Sequence, residues 1–457
     1  MFTFSLTPFQ SSSLYNDLVP GALPQAITLQ AFGPETPGTS MLKIFHTADW
    51  HLGQSFCGYD RDYEHCCFLD WLLAELKAQR PDALIVAGDV FDSINPSAVA
   101  QKKYYNFLAK ACATLTGLQI VLTAGNHDAG ARLEAPAGLL ESMNITIVGT
   151  VKQDDTGNID VAKFLVPLKD QTGAVRAIVM AVPFLRPSDV PLVEHAADPY
   201  LDGVRELYRL TTEAAAKMRV ELNPDAALIA MGHCHLQGGE ESRDSERRLV
   251  IGGAEAIGPA TFDPKIAYVA LGHLHRAQQL DGGRIRYSGS PIPLSFAEAD
   301  YKHQIVKLAF ENSDLISAEE IFIPRAAMLL RIPERGAAKI DDVISELKAL
   351  MLNPALPPEQ HPFLEVRILE EGPDPFRRSR VEQAIEEKSL RLTPIKVERF
   401  SKNTDSDTVD NALESVDLKT ISPEEILMSA HREKYGTVAS ESLLKAFREI
   451  LQEVHSS

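Results

Sequence analysis

The stretch Leu42-Lys-Ile-Phe-His-Thr-Ala-Asp-Trp-His-Leu-Gly53 decides how the chain is organised. It opens with a short apolar run of the kind that becomes a buried strand. The run leads into Asp49-x-His51, where a carboxylate and an imidazole stand two residues apart. The stretch therefore predicts a strand whose carboxyl end carries groups able to bind a metal ion.

The same pattern recurs four times further along the chain. Apolar runs at 83–87, 118–123, 227–231 and 266–271 predict strands, and helices are predicted at 62–79, 97–115 and 204–219. This alternation indicates a layered α/β domain over 41–325, whose strand ends gather functional groups. The polar groups at the five strand ends are Asp49-x-His51, Gly88-Asp89, Gly125-Asn126-His127-Asp128, Gly232-His233 and Gly272-His273-Leu274-His275. The repeated Gly allows tight turns and close approach of the backbone to the site.

These residue types point to a metal site. Carboxylate and imidazole together suit Mn, Fe or Zn, whereas oxygen ligands alone suit Mg or Ca. Two cations about 3.5–4 Å apart need a shared anionic ligand such as Asp89, and such a pair catalyses phosphoryl displacement. A histidine outside the coordination shell can protonate the leaving oxygen. Any single Gly-Asp or His is more typical of a turn or a core group, so the hypothesis depends on all five strand ends together.

The rest of the chain divides into four segments. Residues 1–40, rich in Ser, Pro, Thr and Gly, are expected to be a disordered leader. A strand and helix alternation over 326–400, with a closing strand at 390–400, predicts a small α/β cap domain. Residues 401–417 are expected to be a polar linker and 418–457 to form two helices. The apolar stripe of the last helix either packs on the chain's own core or docks on a partner.

Charge and cysteine content limit what the chain can be. The 457 residues include 45 Lys and Arg against 63 Asp and Glu, a formal charge of −18, which argues against coating nucleic acid by bulk charge. No stretch approaches the roughly 18 apolar residues of a membrane span. Five cysteines without a C-x-x-C motif indicate a reducing compartment. No phosphate-binding G-x-x-x-x-G-K-[ST] occurs, so the sequence shows no ATP-binding loop of this kind.

The order of these motifs resembles the calcineurin-like metallophosphoesterase superfamily. Longer stretches are similar to the SbcD family of bacterial exonuclease subunits, densely over about 41–300 and more loosely towards the C-terminus. These stretches are His46-Thr-Ala-Asp-Trp-His-Leu-Gly53, Val86-Ala-Gly-Asp-Val-Phe-Asp92, Pro183-Phe-Leu-Arg-Pro187, Ala270-Leu-Gly-His-Leu-His-Arg276 and Ser288-Gly-Ser-Pro-Ile-Pro-Leu-Ser-Phe296. The resemblance implies a four-layer α/β sandwich of two mixed sheets flanked by helices, with a cap domain and a C-terminal helix pair.

The resemblance also implies a role for each site residue. One cation would be held by Asp49, His51, Asp89 and His275. The other would be held by Asp89, Asn126, His233 and His273. His127 would be the catalytic histidine beside the scissile phosphate, and Asp128 would orient it.

Members of this family use Mn²⁺ best, form homodimers through helices near the active site and work with the coiled-coil ATPase SbcC. The complex degrades duplex DNA ends in an ATP-dependent, 3′ to 5′ manner and cuts single strands and hairpins. The resemblance therefore implies two Mn²⁺ ions, DNA as substrate, and a homodimer within a heterotetramer. It also implies bacterial cytoplasm, activity at the nucleoid in DNA repair, recombination and replication, and ATPase binding by 418–457.

Two departures from the family pattern leave alternatives open. Gly232-His233-Cys234-His235 offers a second histidine; His233 is favoured as the ligand over His235, with Cys234 a buried small residue. Asp92 stands where some archaeal and eukaryotic relatives place a histidine, which could alter rate or substrate preference without removing metal binding.

Two other functions remain as hypotheses. A small-substrate phosphodiesterase or phosphatase would use the same scaffold, but has less need of a cap and a helix pair. A non-catalytic DNA-end tether would not need an intact ligand set.

Overall fold

A computed structural model describes residues 41–242, 256–370, 372 and 374–399 of the chain. The predicted leader at 1–40, linker at 401–417 and helix pair at 418–457 lie outside the described residues. No helix within the described ranges is long and apolar enough to cross a membrane.

The described strands form three sheets and one short hairpin. In chain order they are β1 (Leu42–Thr47), β2 (Ser55–Phe56), β3 (Tyr59–Asp60), β4 (Ala83–Ala87), β5 (Gln119–Thr123), β6 (Ile145–Val148), β7 (Leu165–Lys169), β8 (Val175–Ala181), β9 (Ala227–His233), β10 (Tyr268–Gly272), β11 (Gln278–Leu280), β12 (Ile285–Tyr287), β13 (Gln304–Glu311), β14 (Asp314–Phe322), β15 (Leu329–Ile332), β16 (Phe363–Glu370), β17 (Arg391–Leu392) and β18 (Lys396–Arg399). The α-helices are α1 (Asp62–Gln79), α2 (Ala98–Thr114), α3 (Gly130–Glu134), α4 (Ala137–Leu140), α5 (Pro199–Leu222), α6 (Ile340–Ala349) and α7 (Arg377–Ile385).

Two six-stranded mixed sheets form most of the fold. Their strand orders are β14-β13-β1-β4-β5-β6 and β11-β12-β10-β9-β8-β7. In each sheet four neighbouring strands run parallel, and antiparallel strands complete the edges. Parallel strands share one direction, so the carboxyl ends of β1, β4 and β5 lie together, and so do those of β9 and β10.

Helices cover the outer faces of both sheets. Successive side chains of β1 point to opposite faces: Ile44 joins the core shared with the second sheet, and Phe45 joins the core beneath α1 and α2. On the other side, α5 packs on β8 and buries Val204 and Leu207. The four-layer α/β sandwich implied by the resemblance is thereby confirmed.

The predicted helices agree with the structure apart from their ends. Helix α1 has the predicted bounds, and α2 begins after Ser97, whose side chain accepts a hydrogen bond from the Ala100 N–H. Helix α5 starts five residues earlier than predicted, at Pro199 rather than Val204. The reason is that Asp198 caps its first turn and Pro199 occupies the first helical position.

The third sheet is smaller and entirely parallel. Strands β15, β17 and β18 all pair with β16, and with α6 and α7 they enclose a separate core around Val343, Leu364 and Val366. The single closing strand predicted at 390–400 is wrong. The chain forms β17 and β18 instead, because Pro394 between them has no backbone N–H to donate to a ladder.

Candidate metal centre

Eight residues are predicted to be metal ligands or the catalytic histidine. Each of them ends or follows a parallel strand of the two large sheets. Those from the first sheet are Asp49 and His51 after β1, Asp89 after β4, and Asn126 and His127 after β5. Those from the second are His233 at the end of β9, with His273 and His275 after β10. Four of these residues, Asp49, His51, Asp89 and His273, have positive φ angles of 54°, 46°, 48° and 98°. Such backbone conformations are uncommon for residues with a Cβ and concentrate at functional sites.

Glycines before the ligands are required by close packing. A Cβ on Gly88, whose φ is 86°, would lie 2.2 Å from Nδ1 of His233. A Cβ on Gly125 would lie 2.1 Å from Oδ1 of Asp89. The expectation that glycine lets the backbone approach the site closely is thereby confirmed.

Asp89 lies at the middle of the cluster. Its Oδ2 is 3.4 Å from Nε2 of His51 and also 3.4 Å from Nε2 of His233. One carboxylate oxygen therefore faces both groups of ligands, which is the arrangement that a bridging ligand requires. We call Asp49, His51, Asp89 and His275 the first half-site. We call Asp89, Asn126, His233 and His273 the second half-site.

The first half-site is buried, and two of its polar atoms have no hydrogen-bond partner among the described residues. Ligand atoms of Asp49, His51 and His275 all lie within 4.8 Å of one another. Both Oδ2 of Asp49 and Nε2 of His51 are buried without a hydrogen-bond partner among the described residues. Orphaned polar atoms of this kind are costly unless something binds them, and a cation would do so.

In the second half-site the side-chain amide oxygen of Asn126 lies close to both histidines. It is 3.0 Å from Nε2 of His233 and 3.1 Å from Nδ1 of His273. His233 turns Nε2 inward because its Nδ1 donates to the carbonyl of Ala87 at 2.9 Å. Two imidazoles and one amide oxygen thus converge beside the carboxylate of Asp89.

The donor set fits two divalent cations. Each half-site offers two imidazoles and at least one carboxylate oxygen, a mixture that suits Mn, Fe or Zn. The shared carboxylate of Asp89 and the buried Oδ2 of Asp49, which has no hydrogen-bond partner among the described residues, agree with that interpretation. The structure brings together all seven residues predicted as ligands.

Burial and neighbouring charge compete in setting the pKa values of this cluster, and burial also lowers the pKa of His273. Burial raises the pKa of Asp49 to about 7 and lowers that of His51. Burial opposes charge on His233 too, but the carboxylate of Asp89 outweighs it and raises the pKa of His233 to about 9. The pKa of Asp89 is lowered in return, because His233 outweighs the effect of its burial. A proton on His233 therefore balances the Asp89 charge wherever no cation does.

His127 borders both half-sites and is only half-buried. Its ring centroid is 4.8 Å from that of His51, and its backbone N–H donates to Oδ1 of Asp89 at 2.8 Å. Its Nδ1 donates to the backbone carbonyl of Asp92 at 2.8 Å, so Nε2 is the atom that can exchange a proton with a substrate. The distances also allow His127 to join His51 and Asp89 as a ligand.

The direct role predicted for Asp128 is wrong. Its buried carboxylate accepts hydrogen bonds from the N–H groups of Val90, Phe91 and Gly125 at 2.9–3.1 Å, and the described contacts include none with the His127 ring. The carbonyl of Asp92 orients that ring instead. Asp128 joins the loops after β4 and β5, and this role depends on tertiary structure that the sequence does not display.

The competing histidine lies outside both half-sites. Nδ1 of His235 pairs with Oε1 of Glu241 at 3.0 Å, whereas His233 contacts Asp89 and Asn126. The geometry thus favours His233, as expected. Cys234 is half-buried and packs against the core of the second sheet, so it is less buried than expected.

Two carboxylates that were not predicted as site residues contact histidines predicted to be ligands. Oδ1 of Asp92 is 3.1 Å from Nδ1 of His51, and Oε1 of Glu298 is 3.0 Å from Nδ1 of His275. In the sequence Glu298 reads as part of an ordinary helix start, three residues after Ser295. The signal that the sequence offered for Glu298 is its position two residues after Phe296, where the stretch similar to the family ends.

Comparisons with known proteins agree with this geometry. Residues 42–277 match the family described as Calcineurin-like phosphoesterase, and residues 325–435 match the Type 5 capsule protein repressor C-terminal domain. Proteins named as the SbcD subunits of the nuclease SbcCD are similar to the chain over much of its length. The one from Rhodobacter capsulatus is 41% identical over 78% of this chain and 88% of its own.

Two further relatives carry the same name. The Escherichia coli K12 protein is 36% identical over 62% of this chain and 68% of its own, and the Bacillus subtilis protein is 33% identical over 64% and 72%. The buried Asp and His cluster at the strand ends thus occurs in a chain with extensive similarity to these proteins. The chain belongs to the calcineurin-like phosphoesterase family and, within it, to the family of SbcD subunits of the nuclease SbcCD.

Proposed function

We propose that this chain is the nuclease subunit of an SbcCD-type complex and hydrolyses phosphodiester bonds of DNA at a two-metal centre. The observation that carries the proposal is the position of Asp89, whose Oδ2 is 3.4 Å from a histidine of each half-site. The names of its relatives supply the substrate class.

Two divalent cations would be held by the first and second half-sites, with Asp89 shared. When bound, they supply Lewis-acid activation of water and neutralisation of phosphate charge. Mn²⁺ is the ion we propose, because the mixed imidazole and carboxylate set suits it and the family resemblance implies it.

The chain's own residues position the reacting groups. The seven ligands end strands or lie in the short loops that follow them, and the positive φ angles of four of them leave little freedom. His127 lies at the solvent-facing side, oriented through Nδ1 by the carbonyl of Asp92. From there His127, in its imidazolium form, gives the Nε2 proton to the leaving oxygen of the cleaved phosphodiester as general acid and keeps its Nδ1 proton as a neutral ring. Asp128 contributes by holding the two loops that carry Asp89 and His127.

We also propose the assembly in which this site acts. The nuclease domain spans 41–325, the cap domain spans 326–400, and the C-terminal segment 418–457 binds an SbcC-type coiled-coil ATPase through a linker at 401–417. Two copies form a homodimer within a heterotetramer, in the bacterial cytoplasm at the nucleoid. The formal charge of −18 supports a need for partners, because bulk charge repels DNA.

The proposal is tested with purified protein, end-labelled duplex DNA and hairpin DNA in the presence of Mn²⁺. We expect hairpin and single-strand cutting by the chain, and ATP-dependent 3′ to 5′ degradation of duplex ends when the ATPase partner is added. A chelator should abolish both activities. Cleavage of small phosphodiesters alone, with both DNA substrates intact, would refute the nuclease assignment and favour the small-substrate alternative.

A further inference from the structure

Glu298 is a fully buried carboxylate directly behind His275. It ends the segment 288–298 that follows β12, which we call the support loop, and it is 0% exposed. Its Oε1 is 3.0 Å from Nδ1 of His275. We propose that Glu298 is a positioning residue that fixes His275 for cation binding and strengthens the first half-site. This inference rests on the proposed function, because it takes His275 to be a metal ligand.

The second oxygen of Glu298 is held by its own loop. Oε2 accepts a hydrogen bond from the backbone N–H of Leu294 at 2.8 Å and a longer one from Oγ of Ser290 at 3.4 Å. The carboxylate is therefore fixed on one side while its other oxygen points at His275. A partner that cannot rotate fixes the plane of the imidazole that donates to it.

The support loop also contacts the backbone that carries His275. The N–H of Ser290 donates to the carbonyl of His275 at 3.1 Å. Gly289 has a φ of 76°, and a Cβ there would lie 2.6 Å from the same carbonyl oxygen. His275 is thus held through both its main chain and its side chain by one loop.

The far side of the support loop is anchored by a buried cation. Nη1 of Arg61 donates to the carbonyl of Pro293 at 2.8 Å. Arg61 forms an ion pair with Glu64, and its guanidinium lies 5.1 Å from the ring centroid of Phe56 and 5.3 Å from that of Phe363. Phe363 belongs to β16 of the third sheet, so the support loop is fixed between the large sandwich and the smaller sheet.

The chemical consequence concerns the tautomer and basicity of His275. A carboxylate oxygen accepts, so Nδ1 of His275 carries the proton and Nε2 presents its lone pair to a cation. The negative charge of Glu298 also makes that lone pair a stronger donor. The corresponding carboxylate on His51, Asp92, has a side chain that is 36% exposed, so water screens it. Glu298 should therefore have the larger effect.

The test is a Mn²⁺ titration of the chelator-stripped full chain, with free Mn²⁺ measured by electron paramagnetic resonance. Glu298→Gln keeps the size of the side chain and removes its charge. We expect one of the two Mn²⁺ affinities to weaken by roughly 10–100-fold, the usual effect of changing an outer-shell partner, and the other to stay within about twofold. Two ions should still bind at saturating Mn²⁺.

A control variant separates this effect from general loss of stability. Asp170→Asn removes another buried carboxylate, which pairs with Nε of Arg176 at 2.7 Å. Asp170 follows β7, which runs antiparallel to β8, so it lies at the end of the second sheet away from the predicted ligands. This variant should lower the unfolding temperature without changing either Mn²⁺ affinity. Glu298→Asp is the second variant, in case Gln prevents folding. It retains the charge but is too short to reach His275, so the same single affinity should weaken.

Wild-type affinities in both Glu298 variants would overturn the inference. Equal weakening of both affinities would overturn it too, since that indicates a loosened fold rather than a positioned histidine. A different result would refute the proposed function, namely a wild-type chain that binds two Mn²⁺ ions but does not cut DNA. In that case the result for Glu298 would still stand.

Discussion

The two half-sites contain similar predicted ligands, but different groups support these side chains. In the first, the histidines pair through Nδ1 with carboxylates, Asp92 at 3.1 Å and Glu298 at 3.0 Å. In the second, Nδ1 of His233 pairs with the neutral carbonyl of Ala87 at 2.9 Å. An anionic partner makes an imidazole a better metal ligand than a neutral partner does. The identity of the predicted ligands therefore does not by itself show which half-site has the higher affinity for a cation. We expect the first half-site to bind its cation more tightly.

Asp89 belongs to both half-sites, so changing it should have the largest effect. Asp89→Asn removes the shared negative charge, and we expect a loss of about 4 kcal/mol of transition-state stabilisation, near 1000-fold in cleavage rate. Cleavage of labelled hairpin DNA and Mn²⁺ stoichiometry measure it. The exposed Asp70→Asn on α1 is the matched control and should behave as wild type. Retention of two tight ions by Asp89→Asn would rule out the bridging role.

His127 is predicted to serve the chemistry of both half-sites while binding neither cation. His127→Gln should slow cleavage by about 10²–10⁴-fold, because the general acid is lost. Its backbone N–H still donates to Asp89, so two Mn²⁺ ions should remain bound. Single-turnover cleavage and a Mn²⁺ titration on the same sample separate the two roles. Loss of an ion would show that His127 is a ligand, as its distances to His51 and Asp89 also allow.

His233 and His235 provide a direct test of the second half-site. His233→Asn should weaken one Mn²⁺ affinity by at least about 100-fold, since even outer-shell changes cost roughly 10–100-fold. His235→Asn should leave both affinities unchanged, because that ring pairs with Glu241 outside the cluster. Calorimetric titration of the two variants in parallel gives the answer. The reverse pattern would exchange the two assignments.

Proton competition should distinguish the half-sites between pH 7 and 9. The raised pKa of His233, about 9, means that a cation entering the second half-site displaces a proton below that pH. Its Mn²⁺ affinity should therefore rise by up to about tenfold per pH unit in this range. The Mn²⁺ affinity of the first half-site should change less over this range and mainly close to pH 7, because burial lowers the pKa of His51 and raises that of Asp49 only to about 7. If the Mn²⁺ affinities of both half-sites changed equally with pH, the predicted difference between the half-sites would be wrong.

The smallest effect is expected from Asp92. Asp92→Asn removes the charge beside His51, but that carboxylate is partly exposed and screened by water. We expect the first half-site to weaken by less than about tenfold, a smaller change than Glu298→Gln produces. The carbonyl of residue 92 is unaffected, so the orientation of His127 and the rate at saturating Mn²⁺ should be close to wild type. An effect larger than that of Glu298→Gln would reverse the proposed ranking.

Much of the fold could be predicted because the central strands and helices carry strong local patterns. Helix α1 and strand β4 have the predicted bounds. The hairpin of β13 and β14 was not predicted. None of the nine residues of the edge strand β14 is buried, so this strand carries only a weak apolar pattern. The strand predicted at 390–400 failed because Pro394 interrupts the ladder.

The sequence by itself determined which residues gather at the site. Each predicted ligand ends or follows a buried parallel strand, and a parallel sheet brings such ends to one edge regardless of the details of packing. Tertiary structure alone decided how these residues are supported. Asp128 bonds three backbone N–H groups of two loops, and Glu298 reaches His275 across 23 residues of chain. The hydrogen-bond partner of a buried carboxylate depends on which loop packs against it, and no local sequence pattern indicates which loop that is.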